Sequence, residues 1–325
     1  MSVRARIGAP SSRDRQMTLA LQSQAGGRFG LRRRVVLAAE PYLYCFPAVF
    51  LIAAILLIPL VIGISYAFRD IQLLKPFSGA YVGLDQFREL IRDDNFWNAL
   101  KNTFQWTIVS LVLQFSFGLV LALLLDRPFP GRSVVQALVF LPWAVPSFLS
   151  GLDWAWLFNP VVGPIPHWLT ALGLMSEPMN ILSDPRYALW GPIVANVWWG
   201  IPFFAITLLA ALQSIPSDIY EAAEIDGANS WRSFKSITLP FLAPTITITL
   251  LLRTVWIANF ADLIVVMTRG GPADSTQIVV SYIFTQAFQR LDFGYASAIA
   301  AALLLLLLAY AFALIVLRQL LLDKS

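Results

Sequence analysis

Long apolar runs separated by short polar stretches set the layout of this chain. A membrane-crossing helix needs about 20 mostly apolar residues at a rise of about 1.5 Å each. Six segments qualify: 41–68, 100–125, 133–158, 187–213, 238–268 and 293–317. The pattern predicts an all-α polytopic membrane helix bundle with six transmembrane helices. Pro142 and Pro146 interrupt the third run and predict a kink there, tolerated where neighbours re-satisfy the backbone. The fifth run is long enough to tilt or to start in the interface.

The polar stretches carry structure of their own. Leu84, Phe87, Leu90 and Ile91 recur at helical spacing, which predicts a short amphipathic helix with Asp85 and Glu89 on its polar side. Residues 159–186 hold Pro160, Gly163, Pro164, Pro166 and Pro185, so an irregular loop around one short helix near 166–173 is expected. The stretch 214–240 is different. Pro216-Ser217-Asp218 starts a helix, with Asp218 and Glu221 at the positive end of its dipole. Gly227 stops it. Asn229 or Ser230 caps a second helix that carries Trp231, Phe234 and Ile237. Taken alone, this helix–turn–helix knob either docks a partner or packs under its own spans.

Composition narrows the class. Of 325 residues 58% are hydrophobic and 13% charged, with mean hydropathy +0.69. Soluble domains run near a quarter charged. Cys45 and His167 are the only residues of their types, which excludes an intramolecular disulfide and disfavours a Cys/His metal site or a Ser-His-Asp triad. The four lysines are Lys75, Lys101, Lys235 and Lys324, and none follows a glycine. No phosphate-binding G-x-x-x-x-G-K-[ST] loop exists, so this chain does not hydrolyse ATP that way. No cofactor or metal site is expected in it. Residues 1–34 hold eight arginines and read as a basic arm, ahead of a membrane domain at 35–325. With the amino terminus inside, fourteen Lys and Arg fall on the cytoplasmic side and seven outside. The positive-inside bias then puts both termini and the 214–240 loop in the cytoplasm.

Polar groups inside spans are functional candidates by default. Arg253, Trp256, Asn259 and Asp262 follow one another at i+3 steps and predict a ribbon drifting around one helix. Asn196, Trp199 and Phe203 share a face of the fourth span. Trp with Asn or Asp suits a sugar, since the ring stacks on the apolar side and the amide bonds hydroxyls. Asn196, Trp199, Trp256, Asn259 and Asp262 are therefore the solute-pathway candidates. Structural roles compete: interfacial or core packing for the tryptophans, interhelical bonding for Asn196, pairing for Asn259 and Asp262. Arg253 is expected in an ion pair or at a helix end.

Glu221-Ala222-Ala223, Asp226-Gly227-Ala228, Phe234, Ile237, Leu239-Pro240 and Pro244 together resemble the EAA loop of ABC-importer permeases. Val82-Gly83-Leu84-Asp85-Gln86-Phe87 with Phe96-Trp97-Asn98 is similar to the stretch before the second span of carbohydrate-type permeases. Thr268-Arg269-Gly270-Gly271-Pro272 is similar to their Leu-Thr-Gly-Gly-Pro turn, from which Met267 and Arg269 depart. Phe293-Gly294-Tyr295-Ala296-Ser297-Ala298 matches the start of their last span.

The resemblance covers about 40–320 and implies a type I ABC importer permease fold in the bacterial inner membrane. It implies that Glu221, Ala222, Ala223, Asp226 and Gly227 contact a separate ATPase holding ATP and Mg. It further implies two ATPase subunits, a second permease subunit forming a heterodimer, and an extracytoplasmic solute-binding protein that docks on outer segments including 69–98 and 159–186. Asp85, Asp93 and Asp94 are the candidate steering charges there. The solute expected is a sugar, oligosaccharide, polyol, or a phosphorylated or sulfonated derivative. The partners are these proteins, the solute and the lipid bilayer; nucleic acid is not among them. An ion-coupled secondary transporter is the alternative, but it would want midplane acid or base relays and an inverted repeat. A membrane enzyme lacks any nucleophile–base constellation.

Overall fold

The computed structural model of the chain describes residues 42, 44–75 and 79–322. The basic arm at 1–34 lies outside them. The chain divides into two units, Met1–Gly63 and Ile64–Ser325. In the first, residues 44–63 lie in helix α1 (Tyr44–Tyr66), which carries a π-turn at Ala53–Leu57.

The second unit holds α2 (Asp85–Arg92), α3 (Asp94–Asp126), α4 (Arg132–Ala144), α5 (Ser147–Leu157), α6 (Pro164–Ala171) and α7 (Trp190–Leu212). Then come α8 (Ser217–Ile225), α9 (Ser230–Ser233), α10 (Leu239–Ala258), α11 (Asp262–Met267), α12 (Val279–Phe284) and α13 (Phe293–Leu322). Among the described residues the only sheet is a two-residue ladder, β1 (Arg69–Asp70) against β2 (Ala80–Tyr81), antiparallel with Arg69 opposite Tyr81.

Tyr44–Tyr66, Asp94–Asp126, Trp190–Leu212, Ser230–Met267 and Phe293–Val316 are each long and apolar enough to cross a membrane. The sixth expected span, 133–158, is not one helix. α4 and α5 meet at 95°, so the sixth crossing exists only as a broken pair. Pro146 causes the break. It has no N–H to continue the helix, and it pushes the preceding residue out of the helical region. Val145 accordingly sits at φ −84°, ψ 125°.

The fifth span also differs from a plain helix. It starts at Ser230 rather than 238, passes through a π-turn at Phe234–Thr238, and stops at Ala258 before resuming at Asp262. Asn259 ends it from within. Its side-chain Nδ2 donates to the Val255 carbonyl at 2.9 Å, offering the backbone a local alternative to the helix. Asp262 then favours the positive end of α11.

Lipid tails are as apolar as leucine, so spans associate through close packing and buried hydrogen bonds. α3, α7 and α10 meet around Trp106, Phe204, Leu208 and Ile257, all nearly inaccessible. Gly118 makes the approach of α3 to α7 possible, because a Cβ there would collide with the Cβ of Phe204. Trp106 Nε1 donates to the Ile257 carbonyl at 2.8 Å. α2 forms where expected but turns another face inward. Gln86 and Leu90 are buried, whereas Leu84 and Ile91 are exposed.

Candidate functional site

Two places bring the candidate residues together. The first is the knob at 217–238. α8 ends as its sequence dictates: Gly227 takes φ +77°, its N–H donates to Glu224 O at 3.0 Å, and Ala228 N–H donates to Ala223 O at 2.9 Å. These two bonds make a Schellman end, which needs a residue that tolerates the left-handed region. Asn229 Oδ1 then accepts from Arg232 N at 2.9 Å and caps α9. The Tyr220 and Thr238 hydroxyls bond at 2.9 Å and tie α8 to the foot of the fifth span. Glu221, Ala222, Asp226 and Gly227 are exposed, Ala223 is half-buried, and Ile225 is the most exposed large apolar residue described, at 87%.

The second place is a cavity of about 240 Å³ lined by Asn196, Trp199, Arg253, Trp256, Ile257, Asn259 and Phe260. Four of the five pathway candidates meet here. Asp262 does not. It is exposed and accepts a 2.6 Å hydrogen bond from Ser147 Oγ, at the start of α5. The ribbon expected through Arg253, Trp256, Asn259 and Asp262 is therefore cut, because the helix ends between Trp256 and Asp262.

The wall of the cavity is aromatic. Trp199 and Phe260 stack with centroids 5.2 Å apart and an interplanar angle of 15°. Phe203 packs on Trp256 at 5.4 Å. Trp199 Nε1 donates to the Val145 carbonyl at 3.1 Å, one of the backbone groups set free by the break between α4 and α5. Both breaks thus border the cavity or bond to its wall, and Ser147 with Asp262 joins them.

Arg253 is 2% exposed. The expected ion pair is absent: among the described residues no carboxylate lies within 4.0 Å of it. It is also not at a helix end, since α10 continues to Ala258. Its Nε donates to Gln114 Oε1 at 2.8 Å, and Gln114 Nε2 donates to Asn196 O at 2.9 Å. Gln114 thereby links three helices and was not among the sequence candidates. The available signal was a glutamine deep inside an apolar run. Asn196 is fully buried, and neither its Oδ1 nor its Nδ2 meets a partner. Gly200 leaves room for the group, because a Cβ there would strike Arg253 Nη2 and Gln114.

The end of the unit opposite the knob holds a polar cluster. Asp93 caps α3, accepting from Asn95 N at 2.9 Å and from the Tyr282 and Tyr295 hydroxyls at 2.6 Å each. Burial alone would raise its carboxyl, but these hydrogen bonds outweigh that and hold it below its ordinary value. Burial, then Asp292 and Asp93, push neighbouring Glu89 up. Of the steering candidates, Asp93 is engaged internally and Asp85 pairs with Arg88 at 2.6 Å.

A family described as the binding-protein-dependent transport system inner membrane component matches residues 114–324. The chain is 36% identical over 263 residues to the trehalose/maltose transport system permease protein MalF of Thermococcus litoralis, covering 80% of this chain and 86% of that one. It is 33% identical over 254 residues to the sulfoquinovosyl glycerol transport system permease protein SmoG of Agrobacterium fabrum, covering 78% and 82%. Its fold matches a chain of the crystal structure of a bacterial ABC transporter that imports the acidic polysaccharide alginate. The TM-score is 0.75 at 25% identity, over 89% of this chain and 98% of that one.

Proposed function

This chain belongs to the inner membrane components of binding-protein-dependent transport systems, and from that premise we propose how its residues do the work. The protein is a non-catalytic permease subunit of a carbohydrate ABC importer, multi-pass in the bacterial inner membrane; ATP hydrolysis resides in a separate subunit. Membership of this family sets aside the ion-coupled alternative.

In our reading the 214–240 segment is the cytoplasmic coupling loop, both termini lie on that side, and residues 1–34 are a basic arm there. Glu221, Ala222, Ala223, Asp226 and Gly227 contact the ATPase pair, which binds ATP and Mg. One observation carries this: α8 stands exposed yet is bonded, through Tyr220 and Thr238, to a helical stretch that runs from Ser230 to the cavity residues Trp256 and Asn259. A push on α8 therefore reaches the cavity through a packed body, the requirement for alternating access by rigid movement.

The cavity is the solute path, with Trp199, Phe260 and Trp256 offering ring faces and Asn196 and Asn259 offering amides to a sugar or sugar-like solute. It is smaller than the roughly 300–1,000 Å³ of a drug-sized site, and Trp256 remains 49% exposed. A second, different permease subunit completes it. A solute-binding protein delivers the solute at the end holding Asp93 and Asp94.

Ala223→Trp tests the reading. Its bulk blocks close approach of the ATPase backbone while leaving the spans alone. Membrane insertion is expected to stay normal, with solute uptake and binding-protein-stimulated ATP hydrolysis both lost. Normal uptake would refute the coupling role.

A further inference from the structure

Arg253 is the one charged residue of the cavity wall, and its own chain does not neutralise it. The residue is 2% exposed and has no carboxylate among the described residues within 4.0 Å. Guanidinium carries five N–H donors. One of them, on Nε, donates to Gln114. Trp199 and Phe203 face the cation with ring centres 5.6 Å from its Cζ, which offsets part of its desolvation but accepts no hydrogen bond in the guanidinium plane. Beside it, Asn196 is fully buried with both amide atoms unpartnered, and both residues line the same cavity. A buried charge left uncompensated is strongly unfavourable, more so at membrane depth. A buried amide without partners adds to that. Two independent deficits, one of negative charge and one of hydrogen-bonding partners, meet in one space.

We propose that the transported solute carries an acidic group, a carboxylate, sulfonate or phosphate, and that Arg253 receives it while Asn196 bonds adjacent hydroxyls. Gln114 is a positioning residue: it fixes the guanidinium through Nε and is itself anchored on the Asn196 carbonyl. Gly200 admits the arrangement, since any side chain there would displace Arg253. Arginine suits the task because its planar fork matches the geometry of an oxyanion. The proposal rests on the reading of the cavity as the solute path.

The test uses the complete purified complex in lipid nanodiscs, without the solute-binding protein, and ligand-observed NMR titration. The probes are methyl β-glucuronide and methyl β-glucoside, which differ in the carboxylate. Wild type is expected to bind the glucuronide at least about tenfold tighter, the scale of one charge-assisted bond. Arg253→Gln is expected to bring the two affinities together. Asn196→Asp, which keeps the side-chain shape and adds a negative charge, is expected to remove or invert the preference, and it serves if Arg253→Gln does not assemble. A purely structural arginine would leave the acid-to-neutral ratio untouched in Arg253→Gln, and would give wild type no preference for Asn196→Asp to remove. Equal binding of the two probes by wild type, or a preference that survives either substitution, overturns the acidic-solute proposal and leaves the cavity assignment standing. Binding of neither probe overturns both.

Discussion

At the knob, five candidate residues lie within seven positions of one another, most of them exposed, and the end of their helix is set by local backbone geometry alone. At the cavity, the participants come from α3, α7, α10 and the segment after it, and Gln114 reaches a partner 139 positions away. The knob needs no distant residue to exist. The cavity needs the close approach at Gly118 and Gly200, the break at Val145, and the break at Asn259. One region is a local, exposed motif, proposed above to meet another protein. The other is a product of tertiary packing that carries unmatched polar groups, whose complement in the proposed reading is the solute. If this contrast is right, substitutions at the knob abolish transport and its stimulated ATP hydrolysis together without touching solute affinity, and those at the cavity change solute affinity first.

The largest effect is expected from Gly227→Pro. Proline cannot take φ +77° and removes the N–H that bonds Glu224, a local cost of about 3 kcal/mol or more. Uptake should vanish in transport assays while glucuronide and glucoside affinities stay at wild-type values. Gly227→Ala should be milder, near the roughly 1–2 kcal/mol of one left-handed non-glycine residue. A fall in solute affinity with either variant would erase the distinction between the regions.

The polar cluster around Asp93 serves as a control remote from both. Asp93→Asn keeps shape but weakens the bonds from Tyr282 and Tyr295, for about 1–2 kcal/mol after solvent screening. Because the folded state holds this carboxyl below its ordinary value, its stabilisation is complete above about pH 4. It is lost as pH falls through the lowered value. Wild-type thermal stability should therefore fall at low pH more steeply than that of Asp93→Asn. Parallel profiles would mean that the tyrosines do not bond the charged form.

How much of this was legible in the chain differs by region for a physical reason. The apolar runs announced the spans, since crossing a bilayer demands length and apolarity in one continuous stretch. Pro146 announced trouble in the third, although not a 95° turn. The knob was legible down to Gly227 and Asn229 because caps act within a few residues. The break at Asn259 was not, for the run from Val255 to Met267 contains no Pro or Gly and reads as unbroken. Arg253 was expected in an ion pair because buried charges usually find one. Its actual partner, Gln114, is invisible until α3 and α10 are side by side. Asp262 was placed on the cavity by a helical spacing that the break invalidates.

The smallest expected effect sharpens the comparison most. Trp199 does two things: its ring stacks on Phe260, and its Nε1 bonds the Val145 carbonyl at the bend between α4 and α5. Trp199→Phe keeps an aromatic face and removes only the donor. Losing one such bond costs about 1 kcal/mol, roughly a fivefold change in an equilibrium. If the indole N–H anchors the bend, the cost falls on the movement: uptake slows about fivefold at saturating solute with little change in KM. If the N–H instead serves the solute, KM rises and the maximal rate holds. The first outcome ties the cavity wall to the broken span and makes the bend part of the moving machinery. The second confines Trp199 to recognition and leaves the joining of the two breaks to the hydrogen bond from Ser147 to Asp262.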